Sequence, residues 1–151
     1  GYGNTGGEPT QETLCTMLKD AIHTLTHEQH VKPENLYLLG QSLGGMVVGD
    51  VAHEYPDLAG VVLESTFPNF QRAAKDLIPL NFGGLPWWVL PLHEQVQSTY
   101  NLAGHLPHIQ APKLVIHGET DHLASYAAMK DLLSKQPVQD PNLTFLTIRQ
   151  G

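Results

Sequence analysis

The sequence predicts an α/β fold built on a mostly parallel sheet, and three observations predict it. A buried-strand pattern, a glycine turn, a helix pattern and a second strand pattern follow one another between residues 36 and 63. Two further strand patterns, Lys113 to His117 and Leu143 to Ile148, flank another helix pattern. Each connection is long enough to cross over, which favours parallel pairing and right-handed crossovers. The chain has 151 residues, 41% of them apolar and 15% charged, enough for one domain around one core.

The elements follow in order. Residues 1 to 9 hold four glycines and one proline and read as loop. Thr10 is placed to cap a helix, with Glu12 in its first turn. Leu14, Met17, Leu18, Ala21, Ile22 and Leu25 recur at helical spacing to near His27. Leu36 to Leu39 is a short continuous apolar run, the pattern of a parallel strand buried on both faces. After the turn at Gly40 to Gly45, Met46, Val47, Val48, Val51 and Ala52 suit a buried helix ending before Pro56, and Leu58 to Leu63 reads as the next strand. From Ser65 to about Pro112 the pattern loosens around a helix near Phe70 to Leu77. A connection of that length in a compact domain is usually functional. The last helix spans about Ser125 to Lys135.

Composition excludes some functions. A formal charge of -7 repels a phosphate backbone, so nucleic acid is not an expected partner. The apolar stretch from Leu77 to Leu92 is broken by Pro79, Gly83, Gly84, Pro86 and Pro91 and cannot form a spanning helix. The single cysteine, Cys15, excludes an internal disulfide or a cysteine-based zinc site and reads as a small buried hydrophobe on its helix. Absence of a disulfide is compatible with the cytosol without requiring it. His23, His27 and His30 share a helix face, where they serve either as metal ligands or as plain surface residues; the second reading is preferred. No motif calls for a metal or an organic cofactor.

The chemistry lies in Gly40-Gln41-Ser42-Leu43-Gly44. A serine hydroxyl attacks a carbonyl only when it is exposed, held near a base and given donors for the oxyanion. Glycines on both sides let a strand and a helix approach closely around a strained Ser42, and the N–H of Leu43 opens the helix as an oxyanion donor. The competing reading is a glycine turn with an incidental serine. The preceding strand and following helix argue against it, and the spacing of a phosphate-binding loop is missing.

With these residues in place the sequence resembles the α/β-hydrolase superfamily. More narrowly it is similar to α/β-hydrolase domain-containing proteins related to serine aminopeptidase-type and depalmitoylase-type hydrolases. Four stretches carry the resemblance in order: residues 1 to 9, Gly40 to Gly45, Val62 to Phe67, and Ala111 to His122. It implies a three-layer fold with helices on both sheet faces and a lid-like insertion over about 65–110, present here as a single partial domain. It also implies a triad of Ser42, an acid at Asp121 and a histidine, acting without a cofactor on a small-molecule or acylated substrate. Glu64 is the competing acid, because some relatives place theirs after the strand that follows the nucleophile helix. The resemblance puts the base in a loop after the last strand, where the chain stops at Gly151. The isolated 151 residues are therefore expected to be inactive, with His117 kept as a surrogate base. The first strands and the second oxyanion donor are likewise expected upstream, leaving an apolar sheet edge prone to association.

In the insertion, Phe67, Phe70, Ile78, Phe82, Leu85, Trp87 and Trp88 either face an apolar substrate or pack the insertion's own core. Two functions follow: a serine hydrolase cleaving an ester, thioester or amide, or a binding protein that kept the fold and lost the chemistry.

Overall fold

The computed structural model describes residues 6–7, 10–69, 71–73, 100–136 and 140–149. The Gly1 to Pro9 loop (apart from residues 6 and 7), all of the lid residues except Phe67, and His93 lie outside them. So does the Phe70 to Leu77 helix beyond its helical residues 71–73.

Four parallel strands form one sheet in the order β1-β2-β3-β4: β1 Tyr37–Gln41, β2 Gly60–Glu64, β3 Lys113–Gly118 and β4 Leu143–Ile148. The α-helices are α1 Gln11–His23, α2 Leu43–Ala52, the short α3 Leu102–His105 and α4 Tyr126–Ser134. α1 starts where expected. The Thr10 hydroxyl accepts from the Thr13 N–H at 3.2 Å, while the Thr13 hydroxyl receives the Thr10 N–H at 3.0 Å. A π-helical turn over Thr24–Glu28 continues it, which accounts for the apolar pattern running on to His27.

Strand periodicity sorts the sheet into two faces. Leu38, Val61, Leu63 and Val115 point to one face and share a core with Ile22, Val48, Val51, Met129 and Leu132 from the helices. α2 is buried from Gly45 through Ala52 because the sheet lies beneath it and α1 and α3 pack on it. Side chains such as Met46 and Val51, with no exposed surface, each contribute on the order of 1.5–3 kcal/mol.

The other face corrects one expectation. Among the described residues β1 stands at the edge of the sheet with alternating burial, and is not buried on both sides: Tyr37 is 69% exposed and Leu39 64%. Their register neighbours Val62, Leu114, Leu146 and Ile148 continue an apolar surface that joins neither core cluster. The hydrophobic run does form a strand, but periodicity cannot say whether a layer covers its second face. The helices of the described residues pack on one face. The layer that the resemblance places on the other is not among them.

Candidate active site

The parallel sheet brings its carboxyl ends to one edge, where such folds gather ligands. Each strand hands over to its loop while still bonded to its neighbour. The Ser42 N–H donates to the Glu64 carbonyl at 3.0 Å, the Ser65 N–H to the Ile116 carbonyl at 2.9 Å and the Glu119 N–H to the Ile148 carbonyl at 2.9 Å. The segments carrying Ser42, Ser65 and Asp121 therefore leave the sheet side by side.

Ser42 is exposed and has φ 53° and ψ -121°. That conformation costs an L-residue on the order of 1–3 kcal/mol and persists only where the surroundings impose it. The impositions are visible. The Ser42 carbonyl accepts the Thr66 hydroxyl at 2.6 Å and the Gly45 N–H at 3.1 Å. A Cβ on Gly40 would lie 2.5 Å from the Gly44 carbonyl oxygen, and one on Gly45 would lie 2.4 Å from the Thr66 hydroxyl. Ser42 does not cap α2 with its side chain. Leu43 is the first residue of that helix, so its N–H belongs to the first turn, where donors lack intrahelical acceptors.

Asp121 sits in the turn after β3. Its Oδ1 accepts the N–H groups of Leu123 and Ala124, each at 2.9 Å, and its Oδ2 lies 3.6 Å from His117 Nε2. Burial pushes this carboxyl up. The amides of Ala124 and Leu123, the Ser65 hydroxyl and the His117 ring outweigh that effect and hold it below the usual carboxylate range. A cavity of about 480 Å³ opens beside it, lined by Arg72, Glu119, Asp121, His122, Ser125 and Tyr126 among others.

The other sequence candidates are placed less favourably. Glu64 shares its register row with Gln41 and Ile116, on the face turned away from the helices, and accepts the Gln41 side-chain amide at 3.3 Å. His117 is fully buried. Its Nε2 lies 2.9 Å from the Ala124 carbonyl and its Nδ1 is buried without a partner. It supports the acid turn from beneath and does not reach the surface where Ser42 is exposed. His23, at the end of α1, and His27, in the π-helical turn after it, are exposed and stack at 4.1 Å, and no cluster of three metal-ligating side chains occurs among the described residues. Cys15 is half-buried against both core clusters, and burial, then Asp50, pushes its thiol up.

Sequence reasoning missed Ser65 and Thr66. Both follow Glu64 at the end of β2, one strand from the nucleophile. Their position immediately after a strand end was the available signal.

Comparison with known proteins is consistent with this geometry. YfhR of Salmonella typhi is 36% identical, with 92% of this chain and 49% of that protein covered. The α/β-hydrolase domain-containing protein WAV2 of Arabidopsis thaliana is 26% identical, over 100% of this chain and 51% of its own. The chain thus spans about half the length of the curated relatives it matches. An esterase of Pyrococcus furiosus superposes with a TM-score of 0.76 at 18% identity, covering 97% of this chain and 58% of that one. An α/β hydrolase of Vibrio vulnificus has the same TM-score and identity, with 97% and 52% covered. The family model described as Serine aminopeptidase, S33 matches residues 1–104. The chain belongs to that family, within the α/β-hydrolase superfamily.

Proposed function

We propose that the whole protein is a serine hydrolase that cleaves a carboxylic ester, thioester or amide through an acyl-enzyme formed on Ser42. The observation that carries this reading is the conformation of Ser42, exposed and strained at the junction of β1 and α2. Strain of this kind is retained where it presents a reactive group. Membership of a hydrolase family supports the reaction class, and the edge shared with Asp121 supports the pairing.

In this reading Ser42 Oγ bonds to the substrate carbonyl carbon while a histidine takes its proton. The negative charge on the carbonyl oxygen is met by donors that include the Leu43 N–H. Collapse breaks the bond to the leaving group, which departs with that proton. Water then repeats the sequence and frees the acid product. Asp121, kept ionised by its hydrogen bonds, holds the imidazole in one tautomer and stabilises its charged form. His117, the histidine against Asp121, does not suit the role of base, since it is wholly buried. In this reading the base is a histidine other than the buried His117.

The test is labelling of the full-length protein with a fluorophosphonate. Stoichiometric labelling lost in Ser42→Ala is the expected outcome. Asp121→Asn lowers kcat by roughly 10³–10⁴, whereas Glu64→Gln stays close to the parent rate. If folded full-length protein takes no label, the hydrolase reading fails and a binding protein on a hydrolase fold replaces it.

A further inference from the structure

β3 alternates between the two sheet faces, and its buried positions are Lys113, Val115 and His117. At the last of these the pattern calls for an aliphatic side chain like Val115. It holds instead a histidine with no exposed surface. Its Nδ1 is buried without a hydrogen-bond partner, so a polar atom has lost its water and gained nothing in exchange. A core position that keeps such a ring calls for a reason, and the reason lies in the other nitrogen.

His117 Nε2 lies 2.9 Å from the Ala124 carbonyl oxygen and 3.6 Å from Asp121 Oδ2. Both neighbours are acceptors, since a carbonyl has no proton and hydrogen bonds keep the Asp121 carboxyl ionised. Nε2 therefore carries a proton and donates it to Ala124. Ala124 in turn donates its own N–H to Asp121 Oδ1 at 2.9 Å. Two hydrogen bonds, passing through one residue, thus run from a ring on β3 to the Asp121 carboxylate. The Leu123 N–H bond to Oδ1 and the Asp121 N–H bond to the Gly118 carbonyl stay within residues 118–124 and shape the turn alone. The ring adds a tie from the strand itself. The ring is held in its turn: Tyr126 meets it edge-on with centroids 5.9 Å apart. The Tyr126 hydroxyl lies 3.0 Å from the Thr147 hydroxyl of β4, and Thr147 is the register partner of His117.

We infer that His117 is a positioning residue for Asp121: from inside the core its Nε2–H fixes the Ala124 peptide, whose amide orients the carboxylate. The catalytic consequence rests on the hydrolase reading above, while the line of hydrogen bonds does not. One nitrogen of the ring is used and the other stays idle in the core, so a donor at the Nε2 position is what the turn requires.

Two substitutions in the full-length protein separate that donor from the bulk of the ring. His117→Leu fills the core without a donor, and His117→Gln returns an N–H near the position of Nε2. With an activated ester, kcat in His117→Leu should fall about tenfold at unchanged KM, the size of one lost hydrogen bond. His117→Gln should recover most of that loss. The Asp121 carboxyl, followed by carbon NMR, should titrate at higher pH in His117→Leu than in the parent, because a looser Ala124 amide stabilises its charged form less. In the parent, nitrogen NMR of labelled histidine should find a His117 proton on Nε2. Parent kcat in His117→Leu overturns the inference, as does an unmoved Asp121 titration, a His117→Gln no faster than His117→Leu, or a His117 proton on Nδ1 with none on Nε2. The last measurement uses the parent alone and stands even where His117→Leu fails to fold. The two readings fail separately. A full-length protein that takes no fluorophosphonate, yet keeps the Nε2 proton and shows the shifted Asp121 titration, loses the hydrolase reading and retains the positioning line.

Discussion

Ser42 holds its conformation because the residues around it leave no room for another. Gly40 and Gly45 face atoms closer than any real Cβ tolerates, whereas Gly44 meets nothing within 4 Å. These sites predict opposite outcomes for the same change. Gly40→Ala pushes a methyl into backbone and should cost about 1–3 kcal/mol or more. Gly44→Ala, in the first turn of a helix, should be neutral or stabilise by up to about 1 kcal/mol. Urea unfolding of both variants checks the pair, and equal effects would refute the close-approach argument. The nucleophile was legible in the sequence because its glycines are a spaced signature. Ser65 was not, because a serine at positive φ looks like any serine until the backbone is seen.

The strands begin and end within about two residues of their expected positions, and β4 spans the expected Leu143–Ile148. Hydrophobic runs bounded by turn residues are enough for that. The first residue of β3 carries a feature the run concealed. Lys113 is buried, with its Nζ 2.9 Å from Asp140 Oδ2 and donating to the Ile109 carbonyl at 2.5 Å. The pair ties the start of β3 to the turn before β4. Burial pushes the Asp140 carboxyl up, but the Lys113 ammonium and the Asn142 amide hold it below the usual range. A depressed carboxyl stabilises the fold above its unfolded-state pKa and loses that contribution as pH falls through the folded one. Asp140→Ala should therefore cost about 2–3 kcal/mol near neutral pH, where it strands a buried ammonium. The gap to the parent should narrow below about pH 4. Denaturant melts at pH 7 and pH 3 read both effects, and a gap that does not change with pH would count against the pairing.

At the scale of the molecule, the helices among the described residues pack on one sheet face, and none of the described residues covers the other, which is apolar. Tyr37, Leu39, Leu146 and Ile148 are each more than 40% exposed. A shallow cavity of about 530 Å³ lies on that face, between Tyr37, Val62, Leu114 and Thr144. No helix among the described residues is long and apolar enough to cross a membrane. A flat apolar surface with edge strands at both ends favours association. The isolated 151-residue chain should bind a hydrophobic dye and self-associate with rising concentration. Leu39→Lys combined with Leu146→Lys should suppress both, as read by light scattering. A parent chain that stays monomeric at high concentration would show that this face is covered.

The sequence by itself determined the order of strands and helices, the α/β class and the serine turn, because each depends on local spacing or on φ/ψ demands that particular residue types advertise. Only the tertiary structure decided which sheet face the helices cover. It also decided that Glu64 turns away while Asp121 is bonded at the carboxyl edge, and that His117 is buried beneath the acid. Those outcomes depend on register between strands tens of residues apart. A one-residue shift there exchanges one face for the other, and no local pattern records it.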